Sequence, residues 1–207
     1  MGQELYKKIY TTKEFYVALY KGLRTFKYMR KNKKMNRISP HFIERVMLAV
    51  TAVNGCEVCS YAHTKIALEQ GMSDKEIKML LSGMTEGISD DEMSAIVFAQ
   101  HYADTRGNPS QEAWNRVVKV YGTEKAFGIL GVIRIIMIGN IYGIALSAFK
   151  SRIKGKKIEK TNFFYEVKMI MSIIPLLPAA LIHAFISNLF KVAVLNFDEK
   201  QGVETLM

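Results

Sequence analysis

Two cysteines and a histidine lie close together near residue 60, with the spacing of a redox site. Two residues separate Cys56 from Cys59, and His63 follows Cys59 by four. At about 100° per residue on an α-helix, the three side chains fall within roughly 60° of one another. His63 would then lie one turn from Cys59, close enough to take or polarise the thiol proton. The pattern predicts a reactive dithiol.

The position of the cysteines along the chain favours the same chemistry. Asn54 and Gly55 precede them, and both residue types tolerate the left-handed conformation that ends a helix. A new helix would therefore begin at the cysteines, and the partial positive charge of its N-terminus stabilises a thiolate. Once one sulfur is oxidised, the other can attack it within a single turn.

Two simpler interpretations of the cysteines remain open. A zinc site is one, but structural zinc takes four ligands, and the sequence has no second cysteine pair. The other histidines show no ligand spacing to the cysteines: His41, His101 and His183. The second interpretation is a pair of inert core residues, because free cysteine is often simply a small buried side chain. His63 on the same face favours the redox pair, which requires no metal and no cofactor.

Glu44 is a weaker candidate when it is taken alone. It lies near the start of an otherwise apolar helix, where a solvated carboxylate also favours the helix dipole. That helix should be buried, however, and a buried carboxylate is costly unless it has a partner or a task. Its position twelve residues before Cys56 gives it more weight.

Glu44, the Cys56 and Cys59 pair, and His63 together resemble the motif of the carboxymuconolactone decarboxylase and alkylhydroperoxidase D-like family. The resemblance covers roughly residues 38–149, and the apolar helix that carries Asn140 resembles the second half of the family domain. The decarboxylase branch lacks the cysteine pair, so the chain is similar to the peroxidase-like branch.

That resemblance implies an all-helical, homo-oligomeric fold, trimeric or hexameric, and a Cys-based peroxidase or thiol–disulfide oxidoreductase. Cys59 would attack the hydroperoxide and become a sulfenic acid, and Cys56 would supply a proton and close a redox-active disulfide. His63 and Glu44 would form the proton relay. A dihydrolipoyl or thioredoxin-like donor would return the pair to the dithiol. An alternative within this class is exchange with protein disulfides without peroxidase activity.

The sequence departs from the family pattern near the site. Alkylhydroperoxidase D proteins tend to have a histidine just before the second cysteine, where this chain has Val58. Glu57 adds a negative charge beside the sulfurs, and the arginine that often follows the asparagine is Ile141 here. These changes bear on peroxide reduction more than on dithiol formation.

The composition is that of a folded helical protein. Of 207 residues, 49% are hydrophobic and 23% are charged, which excludes a disordered chain. Two cysteines cannot form a disulfide framework, and the N-terminus lacks the apolar stretch of a signal peptide, so we expect a cytoplasmic protein. Apolar residues recur at helical rather than alternating spacing, which predicts an all-α fold.

Three segments are expected in the chain. Residues 1–37 form a basic, amphipathic and aromatic N-terminal arm, since most of the +10 net charge lies within the first 40 residues. Residues 38–150 form the alkylhydroperoxidase D-like domain. Its helices are expected over about 41–53, which should be central, then 56–70, another around Trp114, and 124–149. Residues 151–207 form a basic linker and an apolar helical tail.

The tail allows two interpretations. Residues 169–190 carry no charge except on His183, and a length near 20 suits a bilayer. Pro175 and Pro178 would interrupt a single span, which favours a buried helix pair that caps the domain or lines an oligomer interface. Basic residues beside an apolar anchor also suit an anionic membrane surface, so a membrane-associated helical scaffold is a second functional hypothesis. A redox enzyme held there could act on lipid hydroperoxides.

The basic arm also suggests a third hypothesis, nucleic-acid binding. Basic residues beside Tyr and Phe could contact phosphates and stack on bases. The sequence contains no recognised nucleic-acid-binding module, so this hypothesis ranks last.

Overall fold

A computed structural model describes residues 5–156 and 158–197, and within them the chain forms seven helices and no strand. The all-α prediction is therefore confirmed. The helices are α1 (Thr12–Lys34), α2 (Pro40–Asn54), α3 (Glu57–Glu69), α4 (Asp74–Leu81), α5 (Asp90–Asp104), α6 (Gln111–Ile153) and α7 (Phe163–Leu189).

Helix α2 is central, as its all-round apolar sequence predicted. It packs against α3, α4, α5 and α6. The Ser39 side chain caps its N-terminus by accepting the backbone N–H of Phe42, and Pro40 occupies the first turn, where its missing N–H costs nothing. Gly55 ends α2 in the left-handed conformation, with φ of 72°, so that α3 starts at a sharp angle only two residues later.

Helix α6 joins two helices that the sequence predicted separately. Gly122 interrupts it with φ of 71° and ψ of 158°, values outside the helical range. The part before Gly122 carries Trp114, and the longer part after it contributes many of the buried residues of the bundle. Its glycines permit close packing: a Cβ at Gly131 would lie 3.0 Å from the carbonyl oxygen of Thr25 on α1.

The basic N-terminal helix packs on the bundle. Helix α1 lies along α6 and α7, and its Phe15 and Leu19 are buried there. Its cap is a full capping box, in which Thr11 and Glu14 bond each other's backbone N–H groups. Most of its lysines and arginines face solvent, but Arg24 is buried and donates to the carbonyls of Val192 and Ala193 after α7.

The structure corrects the expectation of an interrupted, buried helix pair in the tail. Helix α7 is one helix that contains both Pro175 and Pro178. Each proline removes a single helical N–H, and both prolines lie on the solvent-exposed side of the helix. The face opposite them packs against α1 and α6.

Two helices are long and apolar enough to cross a membrane by length and composition, namely α6 and α7. They differ in burial, since 72% of the apolar window of α6 lies inside the protein but only 17% of that of α7. Helix α6 is therefore a core helix, whereas α7 has an apolar surface that the bundle leaves uncovered. This is weak evidence for membrane association. Residues 198–207 of the predicted tail lie outside the described part of the chain, as does Lys157.

Candidate redox site

Cys56 and Cys59 form a disulfide in the first turn of α3, with their Cα atoms 5.3 Å apart. Cys56 is the N-cap residue of that helix, and its sulfur accepts the backbone N–H of Cys59 at 3.3 Å. Cys56 is fully buried, whereas 7% of Cys59 is exposed. Both cysteines are therefore buried, and Cys59 is the less buried of the two.

Glu44 and His63 form the acid–base pair of the site, although 19 positions separate them in sequence. The His63 Nδ1 lies 2.7 Å from the Glu44 Oε2, and Glu44 is buried. The pair joins α2 to α3 one turn after Cys59. With Nδ1–H donating to the carboxylate, Nε2 keeps the lone pair that acid–base chemistry requires. Glu44 is thus a buried, partnered carboxylate rather than a solvated first-turn residue.

Ion pairs fix the helix that carries Glu44. The next residue, Arg45, donates through Nε to Glu76 at 2.6 Å and through Nη1 to Glu92 at 2.9 Å. These carboxylates belong to α4 and α5, so Arg45 joins three helices. The attraction of both carboxylates outweighs partial burial and raises the pKa of Arg45, which keeps the guanidinium charged.

Gly143 of α6 forms the wall behind the disulfide. A Cβ at this position would lie 2.8 Å from the sulfur of Cys56, 2.8 Å from that of Cys59 and 3.0 Å from Cγ1 of Val58. Only glycine leaves room for both sulfurs here. One turn earlier, the carbonyl oxygen of Gly139 lies 3.5 Å from the Cys59 sulfur.

The N-terminal segment covers the junction between α2 and α3. Tyr6 donates its backbone N–H to the Gly55 carbonyl at 2.7 Å and its hydroxyl to Glu57 Oε2 at 2.8 Å. Burial raises the pKa of Tyr6; a hydrogen bond with Ser147 opposes this effect, and the charge of Glu57 adds to it. Tyr6 therefore stays protonated as a donor, and the charge that Glu57 brings near the sulfurs is held by a hydrogen bond.

Asn140 contributes a second polar contact between α2 and α6. Its Oδ1 accepts the hydroxyl of Thr51 at 3.1 Å, and both residues are fully buried. Its Nδ2 is buried as well and has no hydrogen-bond partner among residues 5–156 and 158–197. An unsatisfied buried amide is costly, so Asn140 reduces the stability of this contact.

The structure brings the four predicted site residues onto two adjacent helices: Glu44 on α2, and Cys56, Cys59 and His63 at the start of α3 and along it. The sequence interpretation missed Tyr6 and Gly143. An isolated glycine within an apolar helix was the available signal for Gly143, since such glycines often mark close approach. In the described part of the chain, no three His, Cys, Asp or Glu side chains are grouped to hold a metal ion.

The geometry can support thiol–disulfide redox chemistry, because two cysteines within one helical turn lie next to a buried carboxylate–imidazole pair. Comparison with family models gives a match over residues 21–100 to the carboxymuconolactone decarboxylase family. Residues 21–100 are therefore similar to that family. Comparison with curated proteins and with solved structures gives no match.

The carboxymuconolactone decarboxylase match covers less than half of the chain but contains all four predicted site residues. It begins within α1, so residues 21–37 of the predicted N-terminal arm fall inside the matched region. It ends in α5, before the part of α6 that carries Gly143 and Asn140. Enzymes occur in this family, both decarboxylases and alkylhydroperoxidases.

Proposed function

We propose that the protein is a Cys-based peroxidase of the alkylhydroperoxidase type. One observation carries the proposal: a Cys56–Cys59 disulfide within one helical turn, with the Glu44–His63 pair one turn further along α3. A dithiol alone suits many roles, but a buried acid–base pair beside it suits a reaction in which protons must move with the sulfur chemistry.

In the proposed reaction the thiolate of Cys59 attacks the terminal oxygen of a hydroperoxide ROOH. The O–O bond breaks, RO⁻ leaves and is protonated to the alcohol through His63 and Glu44, and Cys59 becomes a sulfenic acid. The thiolate of Cys56 then attacks the Cys59 sulfur, and hydroxide leaves as water. The net reaction converts ROOH and two thiols into ROH, water and one disulfide.

The difference in burial supports Cys59 as the attacking residue. Cys59 is 7% exposed and Cys56 is 0% exposed, so Cys59 is the more accessible of the two to a peroxide. Cys56, at the N-cap, lies where the helix N-terminus favours a thiolate, which suits a residue that attacks a neighbouring sulfenic acid. A dithiol donor, dihydrolipoyl or thioredoxin-like, then reduces the disulfide, and we propose a homo-oligomeric enzyme, a trimer or hexamer.

Intact mass spectrometry tests this proposal. The reduced protein is treated with one equivalent of cumene hydroperoxide, and wild type is compared with Cys56→Ser and Cys59→Ser. Wild type should lose two hydrogens, Cys56→Ser should gain one oxygen, and Cys59→Ser should remain unchanged. Oxygen gain in Cys59→Ser instead would reverse the assignment of the two cysteines. Persistence of the peroxide with all three proteins reduced would exclude the peroxidase.

A second candidate is exchange with protein disulfides, and the surface around the cysteines favours it. Val58 and Tyr61 on α3 are exposed beside the disulfide, and 75% of Tyr61 is accessible. Exposed apolar and aromatic residues are typical of protein contact surfaces. If cumene hydroperoxide persists, rapid reduction of an insulin disulfide by the reduced wild type would support exchange, with Tyr61→Ser slowing it.

A further inference from the structure

In α7 the distribution of apolar side chains is the reverse of that in a surface helix of a soluble protein. Large apolar side chains point away from the protein: Phe164, Met171, Ile174, Ile182, Phe185 and Leu189. At about 100° per residue they form one stripe roughly 80° wide. The buried face instead carries the small and polar residues Ala180, Ala184, Ser187 and Glu166, with Met169. A surface helix normally buries its large apolar residues.

The stripe is long and has no carboxylate. Helix α7 has 27 residues, and so it is about 40 Å in length. Its one acidic residue, Glu166, is fully buried and paired with Arg152 at 2.8 Å. The exposed stripe is therefore apolar along the helix, from Phe164 near its start to Leu189 at its end. Ordinary protein surfaces carry apolar residues singly and scattered, so this continuous stripe is unusual.

Side-chain contacts hold α7 against the bundle. The hydroxyl of Tyr16 lies 2.9 Å from Nδ1 of His183, and the hydroxyl of Tyr20 donates to Ser187 at 3.0 Å. The ring of Tyr20 also stacks on His183, with centroids 4.1 Å apart. Near the other end of α7, the hydroxyl of Tyr165 donates to the Tyr10 carbonyl at 2.9 Å. A helix attached near both ends in this way cannot cross a bilayer while the bundle stays folded. It can lie in the plane of a surface.

The charges at both ends of the stripe indicate what kind of partner binds this face. Exposed lysines flank it before and after α7, and one more lies in its second turn: Lys154, Lys156, Lys160, Lys168 and Lys191. Against them, Glu159 is the one exposed carboxylate in the described residues from 154 to 191. Two copies packed through this face would bring like charges together, whereas anionic lipid headgroups would attract them.

We propose that the outer face of α7 docks in the plane of a bilayer that contains anionic lipid, with the apolar stripe in the headgroup–acyl boundary. This is the arrangement of interfacial amphipathic helices, in which apolar burial and basic flanks act together. It is independent of the chemistry at Cys56 and Cys59, so it would hold for a peroxidase and for a disulfide exchanger alike.

Cosedimentation of the full chain with large vesicles tests the proposal. We expect binding to vesicles with 30% phosphatidylserine, binding at least tenfold weaker to pure phosphatidylcholine, and weakening at 0.5 M salt. The double variant Ile182→Ser with Phe185→Ser should lose at least tenfold in affinity. The matched control is Val97→Ser with Val120→Ser, two exposed apolar residues on α5 and the first part of α6, which should bind like wild type.

Folding and assembly are checked on the same proteins. Circular dichroism should give equal helix content for both double variants, and the double variant on α7 should keep the wild-type oligomer size in light scattering. Wild type that fails to sediment with either vesicle, or an α7 variant that binds unchanged, would overturn the proposal. So would an α7 variant that dissociates the oligomer while wild type ignores vesicles, since a second copy would then cover the face.

Discussion

Glu44 and His63 are 19 residues apart in the chain, yet a carboxylate oxygen of one lies 2.7 Å from the Nδ1 of the other. Glu44 is buried among the apolar residues of α2, and His63 projects from α3 one turn beyond Cys59. Burying a carboxylate is favourable only with a strong partner. The pair is therefore the feature that distinguishes this dithiol from two cysteines that merely share a helical turn.

Replacing Glu44 with Gln should slow peroxide reduction while leaving the disulfide able to form. The amide keeps the size and one oxygen of the side chain but cannot stabilise a charged imidazole, and loss of acid–base assistance costs on the order of 10²-fold. Stopped-flow consumption of cumene hydroperoxide measures the effect. Glu69→Gln, which removes an exposed carboxylate from the end of α3, the helix that carries His63, is the control and should react at the wild-type rate.

Replacing Gly143 with Ala should destabilise the oxidised protein. The new Cβ would lie 2.8 Å from both sulfurs, and overpacking of this kind costs about 1–3 kcal/mol. The dithiol can move its side chains apart, so the equilibrium with dithiothreitol should shift towards the reduced form. Gly139→Ala is the matched control, because a Cβ there meets nothing closer than Ile136 at 3.7 Å. Equal shifts in both variants would contradict the role of Gly143.

Glu166 should make stability depend on pH in the acid range. Its burial alone would raise the pKa, but hydrogen bonds from Arg152 and Thr161 outweigh burial and lower it. The unfolded chain therefore binds the proton more readily. The stabilisation is complete above the unfolded pKa and is lost as the pH falls through the folded one.

Urea unfolding at pH 7 and pH 4 measures this dependence. Glu166→Gln should lose about 2 kcal/mol at pH 7, the scale of a hydrogen-bonded charged group, and should lose less than wild type on going to pH 4. Glu159→Gln, an exposed residue in the preceding loop, should keep the wild-type pH dependence. An unchanged slope in Glu166→Gln would refute the assignment.

The packing of α7 against the bundle depends on small side chains at some of its buried positions. Ala180 is fully buried and its neighbour Ala179 is exposed. Ala180→Leu should reduce the free energy of unfolding by about 1–3 kcal/mol, because the added methyl groups have no space between α7 and the bundle. Ala179→Leu should stay within about 0.5 kcal/mol of wild type, as surface changes do. Urea unfolding of both variants distinguishes the buried position from the exposed one.

The local signals of this sequence were sufficient to place the ends of α2. Ser39, Pro40 and Gly55 mark the ends of α2 through backbone chemistry that acts over a few residues, so they could be read without knowledge of the fold. The same is true of Cys56, Cys59 and His63, whose common face follows from helical geometry alone. The similarity to the carboxymuconolactone decarboxylase family lies in the segment that carries this local pattern and Glu44.

The tertiary structure decided which residues from distant parts of the sequence contact this site. The contacts of Gly143 with the sulfurs and of Tyr6 with Glu57 join positions 84 or more and 51 residues apart, which no helical periodicity encodes. Prolines 175 and 178 indicated an interruption, but whether a proline ends a helix depends on what surrounds the freed carbonyl. Here both lie on the open face of α7, and one continuous helix results. The sequence by itself determined that α7 is apolar; only packing decided which of its side chains are buried, because the close-packed contact with α1 and α6 covers one face of the helix and leaves the other exposed.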